Sequence, residues 1–187
     1  MIFLFVAAAV CLAGVNAQIV NPGPCPNVTL EQQFDLPAYL GRWYEYKKYF
    51  ALFQRDGSCV SATYTDNQNG TVGVRNYLVK PDTGEVETII GYAEVDSDSG
   101  EGKLLVSFPS VGQYGSPYWI LGTDYTSYTV VWACGEVGND NLQYGWLLTR
   151  ERFPSNETLD LAQQVITANQ LDEKFIITPQ ENCPLDP

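Results

Sequence analysis

The sequence predicts an all-β fold: an eight-stranded up-and-down antiparallel barrel with one C-terminal α-helix packed outside it. Three observations carry that prediction. From Gly41 to Arg150 the chain reads as short runs of β-branched and aromatic residues divided by turn clusters, spaced as in a barrel or sandwich. Eight such runs follow one another through short turns, and a meander of that kind most simply closes on itself, which removes its sheet edges. After Arg150 the apolar spacing changes to that of a helix.

The predicted strands cover residues 42–48, 59–65, 71–79, 85–94, 103–108, 118–123, 127–134 and 142–150. The first follows directly on Gly41, in Gly41-Arg42-Trp43, where a glycine lets the backbone bend beside a bulky indole. The turns Asp66-Asn67-Gln68-Asn69-Gly70 and Pro81-Asp82-Thr83-Gly84, and the stretch from Asp96 to Gly102, supply residues that stabilise reversals. Alternation places Val60, Ala62 and Tyr64 on one face, and Val72, Val74 and Asn76 on one face of the next strand. It does the same for Leu142, Tyr144, Trp146, Leu148 and Arg150. The first strand is ambiguous, because Trp43 lies opposite Tyr44 and Tyr46. Asn21 to Pro26 is a Pro-rich arm unsuited to a sheet centre. Ser155 reads as the N-cap of a helix over residues 156–169, with Leu159, Ala162, Val165 or Ile166, and Asn169 at helical spacing. Residues 174–177 read as a short final strand before a tail to Cys183.

Residues 1–17 read as a signal peptide: Ile2 to Leu12 is apolar, and Val15-Asn16-Ala17 is a small-x-small site, although no Lys or Arg precedes the run. The expected product is a secreted protein with a single domain over residues 18–187. Its net charge of −12, from 22 acids against 10 bases, argues against nucleic acid and anionic membranes as electrostatic partners. Of five cysteines, Cys11 leaves with the signal; Cys25, Cys59, Cys134 and Cys183 remain, enough for two disulfides in an oxidising compartment with three possible pairings. Asn27-Val28-Thr29, Asn69-Gly70-Thr71 and Asn156-Glu157-Thr158 are glycosylation sequons.

In an eight-stranded meander, Trp43, the Thr123-Asp124-Tyr125 turn and Arg150 fall at one end, where a guanidinium over the indole contributes ~1–2 kcal/mol if desolvated. The longer connections at the other end would frame an open mouth. Gly41-x-Trp43, Thr123-Asp124-Tyr125 and Arg150 match, in order and spacing, the signature regions of the lipocalins, which this chain resembles over nearly its whole mature length. Leu40-Gly41-Arg42-Trp43-Tyr44-Glu45, the run from Pro117 to Tyr125, and Thr178-Pro179-Gln180-Glu181-Asn182-Cys183-Pro184 look like the apolipoprotein D group, with Lazarillo and the insect bilin-binding proteins. That resemblance implies the disulfides Cys25–Cys134 and Cys59–Cys183. It also implies a structural role for Gly41, Trp43, Thr123, Asp124, Tyr125 and Arg150. Gly135-Glu136 stands where apolipoprotein D has a further free cysteine, which argues against covalent partnering there.

A barrel of this size has room for one small ligand. Parity, and for Tyr118 the resemblance, nominate Tyr64, Asn76, Tyr118 and Trp146 as its lining, with Trp132 and Tyr144 as secondary candidates. Trp146 and Tyr118 would supply flat apolar walls; Asn76 and Tyr64 would orient a polar ligand end. Phe50, Leu52, Phe53, Val111 and Tyr114 would form an apolar lip for transient contact with membranes or lipoproteins. The chain has no His, which removes Ser-His-Asp, Cys-His and imidazole metal chemistry; neither enzyme activity nor a bound metal is expected. The expected function is carriage of a small hydrophobic ligand such as a fatty acid or sterol. Two alternatives stand beside it: a carrier of a non-covalent bilin, and an extracellular interaction module that works through its surface.

Overall fold

The computed structural model describes residues 20–51, 57–96, 99–171 and 175–184. The predicted signal peptide, lip residues Leu52 and Phe53, and Lys174 of the predicted last strand lie outside the described residues. Eight strands form the barrel: β2 (Gly41–Tyr49), β3 (Ser58–Asp66), β4 (Val72–Val79), β5 (Val86–Val95), β6 (Lys103–Phe108), β7 (Gln113–Thr123), β8 (Tyr128–Val137) and β9 (Asp140–Thr149). Each pairs antiparallel with its neighbour, and β9 closes on β2. Two edge pieces flank this ring: β1 (Val20–Pro22) pairs with the start of β9, and β10 (Phe175–Ile177) with the end of β2. A short helix α1 (Leu36–Tyr39), capped by Asp35, leads into β2, and α2 (Asn156–Ala168) lies on the outer wall.

Several boundaries differ from the sequence reading. The Pro-rich arm begins with an edge strand, a position where the missing N–H of Pro22 costs no ladder bond between central strands. β7 starts at Gln113, not residue 118, and carries Pro117 opposite Leu105. The α1 turn was not legible, because four residues are too few for periodicity to register.

The ambiguous first strand is resolved by a bulge. Glu45 pairs with Leu148 and Lys47 with Leu147, so Tyr46 is the extra residue. Trp43 therefore faces inward, Tyr46 packs in the outer cluster, and Lys48 returns to the inner side opposite Trp146. A row of cross-strand partners, Trp43, Ala62, Asn76 and Ile89, runs around the inside of four strands.

Two large apolar clusters, and a small third of Cys59, Tyr77 and Val79 beside Cys183, divide the described residues. The inner one fills the lower barrel with Trp43, Val72, Leu104, Ile120, Val131 and Leu148. The outer one binds α2 to the wall through Ala162 and Ile166, which cover Leu121, Val130, Trp132 and Leu147. The disulfide Cys25–Cys134 pins the N-terminal arm to β8, and Cys59–Cys183 pins the C-terminal tail to β3.

Candidate ligand-binding site

The barrel is plugged at the end where β2 begins. Gly41 sits at φ +98°, a left-handed conformation, and a Cβ there would lie 3.1 Å from Arg150 Nη1. The Arg150 guanidinium lies 3.7 Å from the centre of the Trp43 ring. Its Nε donates to the Tyr125 carbonyl at 3.0 Å, Nη1 to Arg42 at 2.9 Å, and Nη2 to Ala38, Tyr39 and Leu40 at 3.1, 3.3 and 2.9 Å. One planar fork thus ties α1, β2 and the β7–β8 turn together. Trp43 Nε1 donates to the Tyr39 carbonyl at 2.9 Å, which satisfies the buried indole.

The turn beside it is built by Asp124, whose Oδ1 accepts from the backbone N–H of Thr126, Ser127 and Tyr128 at 3.0, 2.7 and 3.0 Å. Ser127 Oγ donates to Oδ2. Partial burial alone would raise this carboxyl, but the Ser127 hydroxyl and the three amides outweigh it and hold the pKa below the usual Asp value. Thr123 Oγ1 donates to the Tyr128 carbonyl at 2.7 Å and accepts from Tyr125 N at 3.0 Å. All six signature residues serve this plug.

Above the plug the inward side chains become partly exposed, which marks solvent-reachable space inside the wall. Tyr118, Trp146, Tyr144, Asn76, Ala62 and Ile89 all have this character. Tyr144 and Trp146, two residues apart on β9, stack with ring centres 6.0 Å apart and planes at 10°. Trp146 in turn stacks on Tyr118 at 6.5 Å and 26°. These rings make a continuous flat wall across β9 and β7.

The floor is polar but uncharged. The Tyr118 hydroxyl lies between those of Tyr64 at 2.7 Å and Tyr39 at 3.1 Å. Burial pushes the Tyr39 phenol up to about 12. Burial also raises Tyr64 and Tyr118 well above the ordinary phenol value, with repulsion from Tyr39 adding to both and from Tyr64 adding to Tyr118. At neutral pH all three are neutral hydrogen-bonding groups. Lys48, the inward cation opposite Trp146, is matched by Glu45 at 3.0 Å with both side chains buried.

Tyr64, Tyr118 and Trp146 are joined by ring and hydroxyl contacts on the inner face, Tyr144 extends the row, and Asn76 stands on the same face opposite Ala62 and Ile89. Trp132 does not: it is 0 % exposed in the outer cluster under α2, against Trp119 at 5.7 Å. The reason is parity, since Trp132 pairs with Trp119 and Gly145 on the outer face, whereas Val131 pairs with Trp146 on the inner one. Tyr39 was missed because it precedes the first strand, and only α1 turns its ring under the barrel. At the mouth, Val111 and Tyr114 are exposed and Phe50 is half-buried. The sequon residues Asn27, Asn69 and Asn156 are exposed.

Comparison with known proteins agrees with this geometry. Residues 34–180 match the family model of the lipocalin-like domain. Apolipoprotein D of Cavia porcellus is 36% identical over 98% of this chain and 97% of its own. The Lazarillo protein of Schistocerca americana is 35% identical over 95% of this chain and 84% of its own. The solved structure of insecticyanin from the tobacco hornworm Manduca sexta superposes with a TM-score of 0.79 at 26% identity, covering 89% of this chain and 91% of that one. Plug, chamber and relatives give one answer: the chain belongs to the lipocalin family, in the group of apolipoprotein D and Lazarillo.

Proposed function

We propose that this lipocalin is a secreted carrier that holds a small hydrophobic ligand, of the fatty-acid or sterol kind, against the stacked wall of Tyr144, Trp146 and Tyr118. The observation that carries the reading is that wall, aromatic and inward-facing yet still reachable by solvent. Each Å² of apolar ligand surface removed from water there contributes roughly 25 cal/mol before ordering costs. Asn76 and the phenols of Tyr64 and Tyr118 orient the ligand's polar end. Exposed Val111 and Tyr114 at the mouth support transient contact with membranes or lipoprotein particles during transfer. Two disulfides and three exposed sequons accord with an extracellular, glycosylated protein. No catalytic role is assigned to any residue.

The test is native mass spectrometry of deglycosylated protein from its own organism, beside a Trp146→Arg variant. The expected result is a non-covalent adduct on the wild type that leaves on denaturation and is absent from the variant. A bare wild-type mass with biological activity intact in Trp146→Arg would transfer the function to the surface.

The likeness to insecticyanin favours a second reading, a bilin as the non-covalent ligand, for which the same flat wall offers stacking. Visible absorbance in the purified protein would select it; a colourless preparation with a lipid-mass adduct would discard it.

A further inference from the structure

The wall between β2 and β3 is not continuous. Their ladder runs only from Gly41 to Tyr44 against Tyr64 to Ser61, and beyond Tyr44 the two strands part. The gap is filled by the tail segment Thr178-Pro179-Gln180. Thr178 N donates to the Tyr46 carbonyl at 3.0 Å, and Cys59 N donates to the Pro179 carbonyl at 2.8 Å. Gln180 Nε2 donates to the carbonyls of Glu45 on β2 and Val60 on β3 at 2.9 and 2.8 Å, spanning the gap as a missing ladder rung would. Its Oε1 accepts from Arg152 at 2.7 Å, and Thr178 Oγ1 donates to the Glu45 carboxylate at 2.6 Å. Thr178 and Gln180 are buried like core residues although their segment has no regular secondary structure. Three residues beyond Gln180, Cys183 is bonded to Cys59 on the far lip of the gap.

Lys48 faces the chamber side opposite Trp146, yet it also lines a surface crevice of about 350 Å³ together with Ser58, Thr178, Pro179 and Ile177. Lys48, Thr178 and Pro179 line this crevice, and Thr178 holds Glu45, the ion-pair partner of Lys48. Removing the strap would strip the buried Glu45–Lys48 pair of its Thr178 hydroxyl and admit water beside Trp146.

We propose that the β2–β3 seam is a lateral ligand portal, closed by residues 178–180 and locked by the Cys59–Cys183 disulfide. The proposal rests on the carrier reading above. Cys183 is only partly buried, so a small dithiol can attack it. Two electrons and two protons pass to the sulfurs, the S–S bond breaks, Cys59 and Cys183 become thiols, and the reagent leaves as its own disulfide. The lock holds in oxidising surroundings and releases cargo where dithiols are abundant. The other disulfide ties an outer arm to β8, away from the seam, and supplies the control.

The experiment reduces the folded Cys25→Ser/Cys134→Ser protein with dithiothreitol, which opens Cys59–Cys183 alone, and reduces folded wild type in parallel. Lys48 acylation by a succinimidyl ester, mapped by mass spectrometry, reads the seam; dissociation of dansyl-undecanoic acid reads the portal. The expected result is Lys48 protected before reduction and labelled after it, half-buried Lys80 labelled equally in both states, and probe dissociation about tenfold faster, which corresponds to ~1.4 kcal/mol. Unchanged Lys48 labelling overturns the proposal, as does labelling without faster dissociation. A Cys25→Ser/Cys134→Ser protein that already releases the probe quickly while oxidised also overturns it. Failure of oxidised wild type to bind the probe would sink the carrier reading for acyl ligands, while the Lys48 result would still decide whether the seam opens.

Discussion

Arg150 shows how one side chain can hold the end of a barrel. Its head satisfies carbonyls on three segments and covers Trp43. Charge alone does not explain that geometry, because a lysine ammonium cannot reach several divergent carbonyls from a flat fork. Arg150→Lys is therefore expected to lose about 2–3 kcal/mol, close to the loss in Arg150→Met, since hydrogen bonds to charged groups are each worth ~1.5–3 kcal/mol. Urea midpoints would check this, and wild-type stability in the lysine variant would show that charge suffices. Asp124 makes a second residue-scale case. Its pKa is lower folded than unfolded, so its contribution is present above the ordinary Asp range and fades as pH falls below ~4. The stability gap between wild type and Asp124→Asn should be about 1 kcal/mol or more at neutral pH and should narrow on acidification. A gap independent of pH would mean that the carboxylate charge is not what organises the turn.

At the scale of elements, α2 was legible and its seating was not. Ser155 caps it by accepting from Thr158 N at 3.2 Å, Glu157 stands in its first turn, and Ala162 and Ile166 form its inner stripe. All of these follow from local pattern. The seat is Gly122, where an added Cβ would come within 2.9 Å of Val165 Cγ2. A β-branched side chain in a helix has little freedom to yield. Gly122→Ala should therefore cost roughly 1–3 kcal/mol by overpacking, and Val165→Ala in the same chain should recover most of it. Thermal melts of the four proteins in the cycle would test this; additive losses would place the strain elsewhere.

At the scale of the whole molecule, the chamber floor belongs to no single element. Tyr39 comes from α1, Tyr64 from β3 and Tyr118 from β7, and closure of the barrel alone brings their hydroxyls together. Each phenol holds its proton more tightly folded than unfolded. The stability this contributes is complete below pH ~10 and is lost as pH rises through the folded values, about 12 for Tyr39. In an alkaline titration, the phenolate absorbance of these three should appear as one step together with loss of β-sheet circular dichroism. Smooth titration of all tyrosines with the sheet intact would mean the floor is open to water.

The sequence by itself determined what repeats along the chain. Period-two alternation set the inward faces of β3, β4 and β9, turn residues set the meander, and helical spacing set α2, because each is a local consequence of backbone geometry. It also placed Trp43 beside Arg150, since antiparallel strands joined in order must share an end. Tertiary structure decided whatever depended on a break in period or on distant partners. The bulge at Tyr46 turned Trp43 and Lys48 to the same side, which alternation alone could not show. Trp132 went to the outer wall because its register with Trp119 and Gly145, not its aromaticity, chose its face. The tail became part of the barrel wall because β2 and β3 diverge beyond Tyr44, and unpaired backbone groups in a buried seam must find partners.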